Sequence, residues 1–250
     1  MTDRDLKLCI LDNDVLDPVA QPRWGSYGAM CERLMRQAGF AGEVQTFSAR
    51  QGEYPADWAA FDAVLLTGSR ADAFGDEPWV QALRRQVRQR LDAGQRLLGV
   101  CFGHQLIAHC LGAPVARAPQ GWGQGRMVYD WQGPADAVPG GTLALYASHQ
   151  DQVLALPDGA TLLASNAHCP VAAYALGRQV LCVQPHPEFD AAYTAYLLEK
   201  RRAQMGEAVY QERMASLQQG HDGERFGRLM VRFLTEGLSS LQGDAAHRIA

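Results

Sequence analysis

Apolar residues in this chain alternate between short continuous runs and stretches in which they recur every three or four positions. KLCILD at 7–12 is a run of strand length, and SYGAMCERLMRQAGF at 26–40 reads as a helix ending near Gly39. FDAVLLTGS at 61–69 repeats the strand signal. Asp76, Glu77 and Pro78 then open a helix that places Val80, Leu83, Val87 and Leu91 on one face before Gly94 closes it. Arg84, Arg85, Arg88 and Arg90 lie around the rest of that helix and read as a solvated face. RLLGV at 96–100 is the next strand, and FGHQLIAHCLG the helix after it, stopped by Gly112.

Strand–helix alternation of this kind predicts an α/β fold with a mostly parallel central sheet and helices on both faces. In such sheets the reactive loops follow the carboxyl ends of the strands, where Thr67, Gly68 and Cys101 fall. From about residue 123 the texture changes to short β-like pieces, GRMVYDW, GTLALYASH, TLLASN, VAAYAL and RQVLCVQPH. They predict the far half of the sheet plus a small antiparallel extension. ERFGRLMVRFL places Phe226, Leu229, Met230, Phe233 and Leu234 on one helical face that should pack on the core. With no linker and no internal repeat, the pattern predicts one domain over residues 1–250, with a helical C-terminal segment at about 190–240.

Composition narrows the function classes. A hydrophobic share of 47% and a charged share of 20% are those of an ordinary globular protein, and a net charge of −4 gives no electrostatic case for nucleic acid or an anionic membrane. The first residues lack the layout of a signal peptide, and no apolar run approaches a bilayer span, so a cytoplasmic location is expected. Six cysteines (Cys9, Cys31, Cys101, Cys110, Cys169, Cys182) show no CxxC spacing, which argues against a zinc site and a redox pair.

One cysteine stands apart. In LGVCFGHQ, at 98–105, Cys101 lies between Gly99 and Gly103 where strand becomes helix, the form of a nucleophile elbow with sulfur for oxygen. The helix N-terminus favours thiolate over thiol, and a basic partner is still needed. QPHPEF at 184–189 follows an apolar strand and offers His186 as base, with Glu188 two residues on to fix its tautomer. In extended chain that spacing puts both side chains on one side. Read singly, Cys101 is equally a core thiol, His186 a satisfied turn histidine and Glu188 a surface acid. His104 and His109 are carried off along the helix and read as packing residues, while His149 reads as lining the site without being the base.

LGVCFGHQ, ASHQDQV and QPHPEF, in this order and with LLTGS before them, resemble the signature segments of class I, triad-type glutamine amidotransferases, close to the branch of the GMP synthase amidotransferase domain. The resemblance runs from about residue 7 to 235. It implies a flavodoxin-like three-layer fold and a catalytic triad of Cys101, His186 and Glu188. It also implies an oxyanion hole from the backbone of Phe102, Gly68 and Ser69, and a glutamine head group near Gln105, Ser148, His149 and Gln150. No metal or organic cofactor is implied. Three functions stay open: a glutamine hydrolase feeding ammonia to a separate synthase subunit, a stand-alone peptidase acting on small γ-glutamyl conjugates, and an idle binding module. Thr67-Gly68-Ser69-Arg70 departs from the Gly-Gly-Pro often found at the oxyanion turn, and GWGQG at 121–125, without phosphate-loop spacing, reads as a loop.

Overall fold

The computed structural model describes residues 6–236. In chain order its strands and α-helices are β1 (Lys7–Asp12), α1 (Gln21–Trp24), α2 (Tyr27–Gln37), β2 (Glu43–Ser48), β3 (Ala63–Leu66), α3 (Pro78–Asp92), β4 (Arg96–Val100), α4 (Phe102–Cys110) and β5 (Val115–Arg117). Then come β6 (Gly123–Trp131), β7 (Thr142–His149), β8 (Asp151–Val153), β9 (Thr161–Ser165), β10 (Ala173–Leu176), β11 (Val180–Val183), α5 (Ala191–Met205), α6 (Glu207–Ser216) and α7 (Gly223–Thr235). Of the expected helical segment at 190–240, the last positions, 237–240, lie outside the described residues.

A nine-stranded sheet runs in the order β2-β1-β3-β4-β11-β10-β9-β6-β7. Its first five strands are mutually parallel, and the remaining four continue it by antiparallel pairing. A separate antiparallel pair, β5–β8, stands beside it. Alternate residues of β1 serve opposite faces, as a pleated strand requires. Leu8 and Ile10 join Leu34 and Met35 of α2 and the apolar face of α7. Cys9 and Leu11 join Val80, Leu83 and Val87 of α3 and Leu106 and Ile107 of α4. These two cores make the structure three-layered, with α2 and α7 on one face and α3 and α4 on the other.

All five apolar residues expected of the last helix are buried. Of the four expected on α3, Val80, Leu83 and Val87 are buried, while Leu91 packs half-buried at the edge. A third, aromatic cluster joins α1, α2, α5 and α6 through Trp24, Tyr27, Phe189, Tyr193 and Tyr210. Gly121 and Trp122 are loop as expected, but the structure corrects that reading for 123–125. Gly123 already starts β6, opposite His149 of β7, and a Cβ there would stand 2.7 Å from the His149 Nε2. The glycine serves close strand packing.

Phe233 is fully buried in the core that α7 shares with α2 and the sheet. Replacing it by Ala should cost about 3–5 kcal/mol in denaturant unfolding, as for other large-to-small aromatic truncations. A loss below about 1 kcal/mol would show that α7 is not a structural layer.

Candidate active site

Strand β4 lies between β3 and β11 and is parallel to both, with Gly99 opposite Leu66 and Val100 opposite Val183. Parallel neighbours finish at the same edge of a sheet, so three segments far apart in sequence meet there. The Cys101 N–H extends the ladder to the Val183 carbonyl (2.9 Å), and the Gly103 N–H donates to the Thr67 carbonyl (3.2 Å).

Cys101 then turns the chain with φ 51° and ψ −102°, and it alone of the described non-glycine residues has positive φ. Such strain costs about 1–3 kcal/mol and persists only where the surroundings impose it. Here they do. A Cβ at Gly99 would lie 2.8 Å from the backbone of Gly103 and His104, and one at Gly103 would lie 2.3 Å from the Leu66 carbonyl oxygen. Only glycines let β4, α4 and β3 approach this closely, and the turn they permit carries Cys101 over the sheet edge at the start of α4.

The segment after β11 brings the second half of the site. The His186 N–H donates to the Tyr146 carbonyl (2.8 Å), a lone bridge to β7, and the imidazole stacks on Phe189 with centroids 3.8 Å apart and planes within 7°. Its Nδ1 is 2.7 Å from Glu188 Oε1, and the Cys101 sulfur acts electrostatically on the ring. His186 and Glu188 meet through a turn at Pro187 and Glu188, not along an extended strand. The expected pairing holds with different local geometry, because β11 has already ended at Val183 and the chain turns at Pro187.

Cys101 and His186 line one cavity of about 390 Å³, at the small end of the range of small-molecule pockets. Ser69, Gln105, Ser148, His149 and Gln150 line it too. Gly68 and Phe102 reach the site through backbone, the Phe102 ring turning away to stack on Trp79 at 5.6 Å. The N–H groups of Gly68, Ser69 and Phe102 have no acceptor among the described residues. Glu188 sits behind His186.

A family model described as "Glutamine amidotransferase class-I" matches residues 25–201. The chain belongs to that family. It is 34% identical over 177 residues to γ-glutamyl peptidase 3 of Arabidopsis thaliana, covering 66% of this chain and 71% of that protein. It is 31% identical over 173 residues to a glutamine-hydrolysing GMP synthase of Syntrophomonas wolfei, covering 66% of this chain and 31% of the synthase. A crystal structure of a glutamine amidotransferase from Thermotoga maritima superposes with TM-score 0.73 at 17% identity, over 93% of this chain and 99% of that one, a likeness of fold.

In this amidotransferase the turn after β3 is held by the loop after β1. The Asn13 amide donates to the Thr67 carbonyl (3.0 Å), and the Asn13 N–H donates to Thr67 Oγ1 (2.9 Å). Buried Asp14 accepts from the Arg70 backbone (2.8 Å) and from its Nε (3.0 Å) and Nη2 (3.1 Å). Arg70 thereby anchors the turn that departs from the Gly-Gly-Pro pattern. Gln184 was not singled out from the sequence, yet its Nε2 is 3.5 Å from Cys101 Sγ and its Oε1 accepts from Gln105 Nε2 (3.0 Å). Its place at the exit of an apolar strand was the available signal. Tyr27, Trp122 and Arg201 also line the cavity and were missed, since no local pattern links them.

The histidines of this amidotransferase site differ in charge. Burial works against a charged His186, but the Glu188 carboxylate and the Cys101 sulfur outweigh it and push its pKa up to about 10. Burial, then His186 and His168, push His149 down to about 3, and neither of its ring nitrogens has a partner. His104, also pushed down to about 3 by burial and by His149, is fully buried with its ring 5.0 Å from Tyr174. Because His186 titrates higher folded than its ordinary value of about 6.5, its stabilisation is complete below that value and is lost as pH rises through about 10. Among the described residues no group of three or more His, Cys, Asp or Glu is arranged to hold a metal, and no helix is long and apolar enough to cross a membrane.

Imidazole ¹⁵N NMR should find His186 protonated through pH 8 and His149 neutral down to about pH 5. Glu188→Gln should lower the His186 midpoint. Both rings titrating near 6.5 in the wild type would contradict this electrostatic picture.

Proposed function

We propose that the chain hydrolyses γ-glutamyl amide bonds, with Cys101, His186 and Glu188 as the triad. The observation that carries this reading is the meeting of Cys101 with the His186–Glu188 pair at the wall of one cavity. The Cys101 sulfur attacks the γ-carbonyl carbon, and the N–H groups of Phe102 and of the Gly68–Ser69 turn donate hydrogen bonds to the developing oxyanion, a contribution typically worth about 3–4 kcal/mol per donor. The C–N bond breaks as His186 passes its proton to the departing nitrogen, leaving a γ-glutamyl thioester. Water, deprotonated by His186, then cleaves the thioester to glutamate and free thiol. Glu188 keeps the imidazole in the tautomer that faces sulfur and stabilises its charged form. Gln105 and the backbone of Ser148, His149 and Gln150 hold the glutamyl head group, and Gln184 orients the sulfur.

The name of the Arabidopsis relative favours release of an amine other than ammonia, and that of the GMP synthase favours glutamine with transfer of ammonia to a synthase. Assay against glutamine and a panel of other γ-glutamyl amides separates them. The purified chain, with no added partner, should turn over γ-glutamyl amides, and Cys101→Ala should reduce kcat by at least about a thousandfold, as removal of a nucleophile does elsewhere. Glutamine as the best substrate would support the ammonia-supplying reading. Full activity in Cys101→Ala, or no turnover of any γ-glutamyl amide by the wild type, would overturn the proposal.

A further inference from the structure

Four cations line the cavity: Arg70, Arg117, Lys200 and Arg201. Three are paired. Arg70 is held by Asp14 at 3.0 Å, Arg117 by Asp151 at 3.1 Å, and Lys200 by Asp17. Arg201, on α5, forms no ion pair with any described carboxylate. Its guanidinium carbon lies over the Trp122 ring, 4.1 Å from the centroid, and one N–H donates to Ser148 Oγ (3.0 Å). The remaining donors of that rigid fork suit the two oxygens of a carboxylate.

Further donors stand beside it. Tyr27, Tyr193 and Cys101 line the same cavity as Arg201. The Tyr27 and Tyr193 hydroxyls are hydrogen-bonded to each other (3.0 Å), and Tyr27 lines the cavity. Ser148 Oγ, having accepted from Arg201, keeps its proton to give. Burial weakens the hold of Arg201 on its proton, and no carboxylate offsets it. A half-buried cation among hydroxyl donors is a costly arrangement until an anion joins it.

Position decides which anion. Tyr27 stacks on Phe189 with centroids 6.1 Å apart, and Phe189 stacks on His186. His186 also bridges to β7 at Tyr146, two residues before the Ser148 that Arg201 holds, so Arg201 lies on the flank of Cys101 that His186 occupies. In the hydrolysis proposed above, on which this inference rests, the departing nitrogen must face His186 to receive its proton. From these contacts we infer that Arg201, with the Tyr27 and Ser148 hydroxyls, forms a subsite for a carboxylate on the leaving group. The preferred substrates are then γ-glutamyl amino acids or short γ-glutamyl peptides, rather than glutamine or the γ-glutamyl amides of cationic amines.

The test is binding to the Cys101→Ala protein, measured by calorimetry with γ-glutamylglycine, γ-glutamylcysteinylglycine, the C-terminal amide of each, and glutamine. At least one acid should bind about tenfold or more tightly than its amide. Arg201→Gln in the same background, with its folding checked by thermal melting, should erase that difference, and Arg201→Lys should restore part of it. Equal binding of acids and amides at both lengths, or a preference that survives Arg201→Gln, would overturn the subsite. Glutamine binding that falls as far as peptide binding in Arg201→Gln would assign the guanidinium to the glutamyl carboxylate and overturn it too. Turnover by the protein with Cys101 intact is scored apart. Carboxylate-dependent binding without turnover would sink the hydrolysis reading alone, and turnover without carboxylate preference would sink the subsite alone.

Discussion

The site rests on the parallel pairing of β4 with β11. Register sets Val100 beside Val183, so residue 101 and the loop at 184–188 leave the sheet at neighbouring points on one edge. Nothing in local sequence brings a sulfur and an imidazole eighty-five positions apart into contact. The ladder does, and β3, pairing with the other side of β4, delivers the Thr67–Arg70 turn to the same place.

Around that constraint the chain sets rigid supports where strain has to be held. Cys101 occupies a backbone conformation that an ordinary side chain resists, and Gly99 and Gly103 make room for it by letting backbone touch backbone. His186 is fixed by stacking on Phe189, by its bond to Glu188 and by the bridge to Tyr146. The turn that backs its ring is tied down by Asn13 and Asp14, and a side chain at Gly68 would strike the imidazole at 2.9 Å. Preorganisation of this kind gives hydrogen-bond donors their value toward developing charge. The cavity wall beyond the sulfur combines paired cations with Arg201, whose guanidinium has no ion pair among the described residues.

Much of this was legible in the sequence because the decisive features are local. The two glycines about Cys101, the prolines about His186 and the strand runs before each mark ends of buried strands, and a sheet with parallel neighbours places such ends together. The five-residue apolar face of α7 was equally plain. The edge strand β2 was not, since EVQTFS is half exposed and carries no apolar run. GWGQG reads as a loop because strand pairing at Gly123 depends on room for His149, a partner distant in sequence. Gln184, Tyr27, Trp122 and Arg201 escaped for the same reason. Each gains its role from a neighbour on another element, and no spacing along the chain announces it.

The central claim is that the Cys101 sulfur reacts inside a preformed oxyanion pocket. A crystal structure after treatment with a glutamine-mimicking chloroketone tests it directly. The account predicts a bond from Cys101 Sγ to the ketone-derived carbon chain, with the ketone oxygen about 2.7–3.1 Å from the N–H groups of Phe102 and the Gly68–Ser69 turn. Modification of another cysteine, or a Cys101 adduct whose oxygen faces solvent, would contradict it.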